Sequence, residues 1–85
     1  PDEFMEAVAR AGEWNTTART DGKTIATYQA RDLWEQIARA AWACADPGVQ
    51  FDTTIQNWHT CANTDRIYGS NPCSEFMFMD DTACN

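Results

Sequence analysis

Four side chains near the end of the sequence are of types that can do chemistry: Asn71, Cys73, Glu75 and Cys84. The first three occupy every second position of the stretch NPCSE, and Pro72 disfavours a helical conformation for the residue before it. We therefore predict an extended stretch in which the amide, the thiol and the carboxylate share one side, each within about 7 Å of the next. An amide can hold a hydroxyl group, and a carboxylate can accept a proton as a general base.

The sequence around Cys73 favours a neutral thiol. A nucleophilic cysteine is activated by a nearby histidine, a cation or a helix N-terminus. Here the nearest charged residue is Glu75, whose carboxylate repels a thiolate, and the sole histidine, His59, is distant in the sequence. A neutral thiol suits hydrogen-atom transfer better than acyl transfer, although folding could bring His59 close. The structural alternatives are an inert buried thiol at Cys73 and a solvated charge at Glu75.

Three elements are predicted upstream of this stretch. Residues 2–11 have the apolar spacing of an amphipathic helix, and the glycine that follows them is placed to end it. Two threonine-rich runs flank Asp21-Gly22, which predicts a β-hairpin with a two-residue type I′ turn. Residues 31–44 predict a second helix, with Cys44 on its apolar, core-facing side.

The second half of the sequence is less regular. Residues 49–65 show no clean period, so we predict an irregular segment with a short helical turn. The stretch SEFMFM, at residues 74–79, predicts a short buried strand. If the two aspartates after it turn the chain, Cys84 falls opposite Met77. It then lies about 13 Å along the strand from Cys73, which is too far for a disulfide.

The composition fits one small α/β domain. The 85 residues are 44% hydrophobic, which is too apolar for a disordered tail. The net charge is −7 and the basic residues are scattered, which argues against a nucleic-acid surface. No apolar run approaches the ~20 residues of a membrane span. The chain opens on proline without an initiator methionine or a secretory signal, so we expect part of a longer protein, in the cytoplasm, with reduced thiols.

The last sixteen residues, SNPCSEFMFMDDTACN, resemble the active-site loop of ribonucleotide reductases. The resemblance is strongest to the adenosylcobalamin-dependent class II enzymes, because the iron- or manganese-dependent class I enzymes more often have leucine where Pro72 and Ser74 stand. It extends upstream through RDLWEQIARAAWACADPGVQFDTTIQNWHTC at residues 31–61 and PDEFMEAVARAGEWN at residues 1–15. The resemblance therefore covers essentially the whole chain.

This resemblance implies a fold and a role for each residue. The chain would be a fragment of a ten-stranded α/β barrel (helix, β-hairpin, helix, irregular segment, finger loop and short strand), with residues 1–85 as one partial catalytic domain. Cys73 would become a thiyl radical, its hydrogen atom taken by a 5′-deoxyadenosyl radical from adenosylcobalamin, and would remove the 3′-hydrogen of the ribose. Glu75 would accept the 3′-hydroxyl proton, and Asn71 would hydrogen-bond the ribose hydroxyls. Cys84 would be half of the reducing dithiol, whose other half lies upstream of Pro1.

The implied function is the reduction of ribonucleotides to deoxyribonucleotides for DNA synthesis, by a vitamin B12-dependent ribonucleoside-diphosphate reductase. The implied partners are a ribonucleotide, a thioredoxin- or glutaredoxin-type reductant, and dNTP effectors bound outside this segment; the full-length form is compatible with a homodimer. No cobalamin-binding residue can be placed in the sequence. The chain alone is expected to be inactive and to fold poorly.

Two other classes of function stay open on the residues alone. One is a small acidic redox or interaction module stapled by two disulfides, since the four cysteines are even in number. The other is a zinc-binding module built from His59 and three cysteines. His59 and Cys61 alone do not make a metal site, so both are expected to be structural and no metal is predicted.

Overall fold

The computed structural model describes residues 2–85, which divide into two compact units. Unit 1 ends at Val49, and its elements are α1 (Asp2–Ala9), β1 (Glu13–Thr17), β2 (Thr24–Gln29) and α2 (Ala30–Cys44). Unit 2 covers residues 50–85, and its elements are α3 (Asp52–Trp58), β3 (Gly69–Ser70) and β4 (Met77–Phe78). Helices and two separate two-stranded sheets confirm the predicted α/β class. None of the helices described is long and apolar enough to cross a membrane.

Helix α1 forms as predicted and ends in a Schellman motif. The Gly12 N–H donates to the Ala7 carbonyl at 2.8 Å, and the Ala11 N–H donates to the Val8 carbonyl at 3.3 Å. Ala11 takes the left-handed conformation that this motif requires, with φ of 55°. The glycine predicted to end the helix therefore stands one position after the residue that reverses the chain.

The predicted β-hairpin is confirmed, but its turn is longer than expected. β1 and β2 pair antiparallel, and Ala18 and Lys23 close the loop through a 2.9 Å hydrogen bond. A type I′ turn needs positive φ at both central residues, whereas only Gly22 has it, at 72°. The Asp21 carboxylate instead accepts the Lys23 N–H at 3.0 Å. The two-residue turn was therefore the wrong prediction, because residues 19–22 make a four-residue loop.

The core of unit 1 lies where α1 meets the start of α2. Ala7 and Ala30 are the only buried hydrophobic residues of the described chain, both with 0% of their surface exposed. In the same unit the Phe4 ring of α1 meets the Trp14 ring of β1 edge-on, with centroids 5.3 Å apart. The aromatic pair therefore joins α1 to β1.

Arg31 fixes the end of α1 against α2. Its guanidinium donates to the carbonyls of Val8 and Ala9, each at 2.8 Å. These carbonyls belong to the last turn of α1, where acceptors have no partner inside the helix and a positive charge is favourable. One side chain thus gives the Ala9 carbonyl a partner and the Val8 carbonyl a second donor beside the Ala11 N–H.

Helix α2 confirms the helix predicted over residues 31–44, but Cys44 does not lie in a core. Burial decreases along the helix, and residues 42–44 are exposed, Trp42 with 92% of its surface accessible. The Cys44 sulfur lies 3.2 Å from the Ala40 carbonyl oxygen of its own helix. The prediction of a packed thiol is therefore wrong for this structure. Apolar spacing shows which side chains share a face, but not whether another element covers that face.

Unit 2 is more regular than the sequence predicts, because α3 makes two turns within residues 49–65. The Gln56 side chain donates to the Ile67 carbonyl at 2.8 Å and accepts the Ile67 N–H at 3.1 Å. Arg66 donates to both carboxylate oxygens of Asp52 at 2.7 and 2.8 Å. Both contacts join α3 to the segment that leads into β3.

The ion pair changes the titration of its two members. The hydrogen bonds from Arg66 and then Gln56 lower the pKa of Asp52 from 3.8, and Asp52 raises the pKa of Arg66. A carboxyl group whose pKa is lower in the folded state contributes its full stabilisation at pH values above its unfolded-state pKa. That stabilisation is lost as the pH falls through the folded-state pKa. The pair is therefore intact at neutral pH and is removed only by acid.

Candidate active-site loop

Strands β3 and β4 are joined by a tight loop, residues 71–76, which carries three of the four candidate residues. Gly69 pairs with Phe78 and Ser70 with Met77, both antiparallel. The Asn71 N–H then donates to the Phe76 carbonyl at 3.2 Å, which closes the loop. β4 is shorter than the strand predicted over residues 74–79, because the first of those residues belong to the loop.

The loop begins with a β-turn, so the predicted extended conformation is wrong. The Ser74 N–H donates to the Asn71 carbonyl at 3.0 Å, which places Pro72 and Cys73 at the two central positions. Ser74 follows with a left-handed φ of 63°. Alternation with period two therefore does not apply to Asn71, Cys73 and Glu75. The turn brings the three residues together on one loop, rather than along one face of a strand.

A turn signal was present in the sequence. Proline has the φ that the second position of a β-turn needs, and asparagine is favoured at the first position. The restriction that Pro72 places on Asn71 is satisfied both by a strand and by the residue that opens a turn. The Asn-Pro pair indicates turn initiation more strongly than it indicates a strand.

Asn71 completes the loop with its side chain. Its backbone carbonyl accepts from the Ser74 N–H and also from the Ser70 hydroxyl, which lies 3.0 Å away. The Phe76 N–H instead donates to Asn71 Oδ1 at 3.0 Å. The side-chain oxygen thus takes the place that a backbone carbonyl would have in a ladder. The amide NH₂ group of Asn71 remains as its donor toward a ligand.

The loop has a further contact that the sequence did not indicate. Gln50 Nε2 donates to the hydroxyl of Ser70 at 2.5 Å and to the hydroxyl of Ser74 at 2.9 Å. Gln50 lies in the segment that showed no period, and a lone glutamine there carries no sequence signal. It connects the end of β3 with the residue that follows Cys73.

All four cysteines are free and exposed. Cys73 is therefore accessible at the centre of the turn and is not an inert buried thiol. Cys84 follows a turn at residues 80–81, where Asp81 has a left-handed φ of 60°. The predicted turn is thus present, but Met77 pairs with Ser70 and residues 82–85 belong to no strand. The position of Cys84 opposite Met77 stays a prediction.

Glu75 lies at the edge of a groove of about 450 Å³ inside unit 2. The groove is formed by α3, the residues after it and the start of β4, and neither Asn71 nor Cys73 lines it. Its lining residues are Thr54, Ile55, Trp58, His59, Thr60, Ile67, Glu75 and Met77. Glu75 is itself exposed, so its carboxylate is accessible both to water and to a ligand.

His59 holds a turn rather than a metal. Its Nε2 lies 2.7 Å from the Asp65 carbonyl oxygen and its Nδ1 lies 3.4 Å from the Cys61 N–H. A neutral ring that donates from Nε2 and accepts at Nδ1 satisfies both contacts. Within residues 2–85, no group of three or more histidine, cysteine or acidic side chains is placed to bind a metal ion.

The sequence was compared with known proteins. The family model described as "Ribonucleotide reductase, barrel domain" matches residues 1–85. The chain belongs to the ribonucleotide reductase barrel-domain family. This confirms the family that the cysteine loop and its flanking segments suggested.

Three relatives of the chain are named as vitamin B12-dependent reductases. The chain is 60% identical over 84 residues to a vitamin B12-dependent ribonucleotide reductase of Agrobacterium fabrum and 58% identical to that of Bradyrhizobium diazoefficiens. It is 34% identical to a vitamin B12-dependent ribonucleoside-diphosphate reductase of Mycobacterium tuberculosis. Each match covers 99% of this chain but only 7%, 7% and 12% of the respective relative. The chain thus spans about a tenth or less of the length of these relatives.

Proposed function

We propose that this chain carries the radical cysteine of a vitamin B12-dependent ribonucleotide reductase. The observation that supports this most directly is the NPCSE loop, which exposes the Cys73 thiol between an amide donor and a carboxylate. The loop stands in a chain 60% identical to a protein named for that activity. The whole-chain family match also supports our proposal that residues 1–85 are one part of a ten-stranded barrel.

Each of the three loop residues has its own role in the proposed reaction. Cys73, once it has lost its hydrogen atom, removes the 3′-hydrogen of the ribose. Glu75 accepts the proton of the 3′-hydroxyl, and the 2′-hydroxyl takes a proton from the reducing dithiol and leaves as water. Asn71 donates from its NH₂ group to a ribose hydroxyl oxygen, since its Oδ1 already accepts the Phe76 N–H. The three groups can act on one sugar ring because a single tight loop carries them all.

The exposed thiol of Cys73 fits the chemistry of adenosylcobalamin. A thiol at the tip of a hairpin is accessible to a radical brought to it from outside the chain. When bound, adenosylcobalamin supplies the radical that takes the thiol hydrogen. We assign no residue within 2–85 to holding the cofactor itself.

Cys84 is proposed as half of the dithiol that reduces the substrate. Two electrons are needed to replace the 2′-hydroxyl by hydrogen, and two thiols provide them when they become a disulfide. The resemblance to the reductase family implies that the partner thiol would come from outside this chain. The four free thiols argue against the module stapled by two disulfides.

The substrate is proposed to be a ribonucleoside diphosphate, because one relative is named a ribonucleoside-diphosphate reductase. The reaction would provide deoxyribonucleotides for DNA synthesis in the cytoplasm. A thioredoxin- or glutaredoxin-type protein would reduce the disulfide again, and dNTP effectors would bind outside these residues. A homodimeric form of the complete enzyme is compatible with this proposal.

A chimaeric enzyme tests the function. In it, this chain replaces the matching segment of the Agrobacterium fabrum relative, which keeps the rest of that protein. We expect the chimaera, supplied with adenosylcobalamin and a dithiol, to form deoxyribonucleotides. Cys73→Ala should abolish this activity, because no other side chain on the loop can donate a hydrogen atom and take it back. The readout is product formation at saturating ribonucleotide.

The chain contains matched controls for this substitution. Cys44→Ala and Cys61→Ala remove thiols that are also exposed but lie outside the loop, and they should leave turnover within about two-fold of the parent. Cys84→Ser should stop turnover with a dithiol reductant. An active Cys73→Ala chimaera, or a parent chimaera that folds and binds cofactor but makes no product, would contradict the proposed function.

A further inference from the structure

We propose that Gln50 is a positioning residue for the Cys73 thiol, a role that rests on the proposed function. Gln50 stands 20 positions before Ser70 in the sequence, yet its side chain reaches the loop. It does not line the groove beside Glu75, and its two hydrogen bonds go to serine hydroxyls rather than to a candidate catalytic side chain. Its effect on the reaction therefore passes through the conformation of the loop.

The Gln50 amide joins the two sides of the cysteine turn. Its Nε2 is 2.5 Å from the hydroxyl oxygen of Ser70, the last residue of β3, and 2.9 Å from that of Ser74, the residue after Cys73. An amide NH₂ group has two hydrogens, so one nitrogen can donate to both serines. The turn is thus held from a point outside the β3–β4 hairpin.

The direction of these hydrogen bonds is fixed at Ser70. The Ser70 hydroxyl donates its one hydrogen to the Asn71 carbonyl at 3.0 Å. It must therefore accept from Gln50, and a side chain without a donor cannot replace the amide there. The arrangement requires a donor of glutamine's length at position 50.

Ser74 is the residue in the loop that most needs such support. Its φ of 63° lies in the left-handed region, which is unfavourable for a residue with a Cβ atom. A conformation of this kind persists where surrounding contacts hold it. Here the Ser74 N–H donates to the Asn71 carbonyl, and the Ser74 hydroxyl oxygen accepts from Gln50 Nε2. Because Cys73 is bonded directly to Ser74, a relaxed Ser74 would redirect the sulfur.

Hydrogen-atom transfer makes this positioning matter for catalysis. The sulfur must approach one ribose hydrogen at close range, and a misplacement of about 1 Å can cost roughly 100-fold in rate. A loop that relaxes should lower kcat while substrate binding through other parts of the enzyme is retained. A lower kcat with an unchanged KM would distinguish Gln50 from a residue that binds the nucleotide.

The test uses the complete chimaeric holoenzyme with three substitutions. Gln50→Met keeps the length of the side chain and removes the donor, and Gln50→Lys restores a donor of similar reach. Gln36→Met is the matched control, because Gln36 is an exposed glutamine of α2. Two quantities are measured: kcat with KM for the ribonucleotide, and deuterium exchange of the peptide over residues 70–78 without cofactor or substrate.

We expect Gln50→Met to lower kcat roughly 10- to 100-fold with KM within about two-fold, and to speed exchange over residues 70–78. Gln50→Lys should restore most of the parent kcat and of the slow exchange over residues 70–78. Gln36→Met should change neither kcat nor exchange. The proposal is overturned if Gln50→Met leaves kcat within two-fold, or if kcat falls with no change in exchange. Failure of the parent chimaera, or activity in Cys73→Ala, would instead count against the proposed function.

Discussion

At the residue scale, Asn71 has two roles, and each belongs to a different end of its side-chain amide. The oxygen accepts the Phe76 N–H and closes the loop, whereas the NH₂ group is the donor proposed for the ribose. A catalytic residue that also supports its own loop is difficult to interpret from an alanine substitution alone. Variants that remove one group at a time are more informative.

Asn71→Asp and Asn71→Ala should therefore differ. In the chimaera, Asn71→Asp keeps an oxygen for the Phe76 N–H but loses the NH₂ donor, so we expect turnover to fall at least about 10-fold while loop exchange is unchanged. Asn71→Ala loses both groups and should lower turnover further and speed exchange of the Phe76 amide. Deuterium exchange and steady-state kinetics measure the two effects. Equal exchange in both variants would show that Oδ1 does not hold the loop.

Sequence reasoning at this scale identified the reactive residue types but not their support. Asn71, Cys73 and Glu75 could be selected because an amide, a thiol and a carboxylate have recognisable chemistry. Gln50 could not, because its importance comes from a contact with Ser70 and Ser74 that only the folded chain creates. Glutamine in an irregular segment has no distinguishing spacing.

At the element scale, Gln56 helps to attach α3 to the segment that leads into β3. The Gln56 side chain satisfies both the N–H and the carbonyl of Ile67, as a neighbouring strand would. Both contacts are partly buried. Removing a partner from a buried backbone group costs more than the net contribution of an average hydrogen bond.

Gln56→Leu should therefore open this junction locally. We expect a loss of about 1–3 kcal/mol in the opening free energy at Ile67, which corresponds to roughly 5- to 150-fold faster exchange of its amide. Hydrogen exchange of the chimaera measures it residue by residue. Gln36→Leu, on the exposed side of α2, is the control and should leave the Ile67 amide unchanged. Equal exchange in the two variants would contradict the bridging role of Gln56.

The elements also show what periodicity can and cannot predict. Both long helices were predicted to within about two residues, because α1 and α2 carry a regular apolar spacing. The chain conformations at Asp21-Gly22 and at Asn71-Pro72 were predicted wrongly, whereas the turn at residues 80–81 is present as predicted. The Asp21-Gly22 hairpin needed a second left-handed residue that Asp21 does not supply, and the Asn-Pro pair fits a strand end as well as a turn. Turn geometry depends on hydrogen bonds that a spacing pattern does not contain.

At the scale of the whole molecule, the described chain has little interior. Ala7 and Ala30 are its only buried hydrophobic residues, while Trp42 and Trp58 have 92% and 83% of their surface exposed. Exposed tryptophans of this size are typical of surfaces that another part of a protein covers. This fits a chain that spans about a tenth or less of its relatives' length.

The isolated chain should therefore be unstable and inactive. We expect no cooperative thermal unfolding transition by circular dichroism, and fast exchange at most amides, because two buried alanines cannot offset the entropy of ordering the chain. The same residues in the chimaera should be protected. A cooperative transition for the chain alone, or deoxyribonucleotide formation by it, would contradict this expectation.

The side-chain closure at Asn71 has a consequence for how the loop can move. A ladder built from backbone groups opens only when the strands separate, but an amide can release the Phe76 N–H by rotating about its own side-chain bonds. Such rotations take picoseconds to nanoseconds in exposed residues. Amide rotation thus releases one of the two hydrogen bonds between Asn71 and Phe76, while the backbone bond from the Asn71 N–H to the Phe76 carbonyl and the pairing of Gly69 with Phe78 remain.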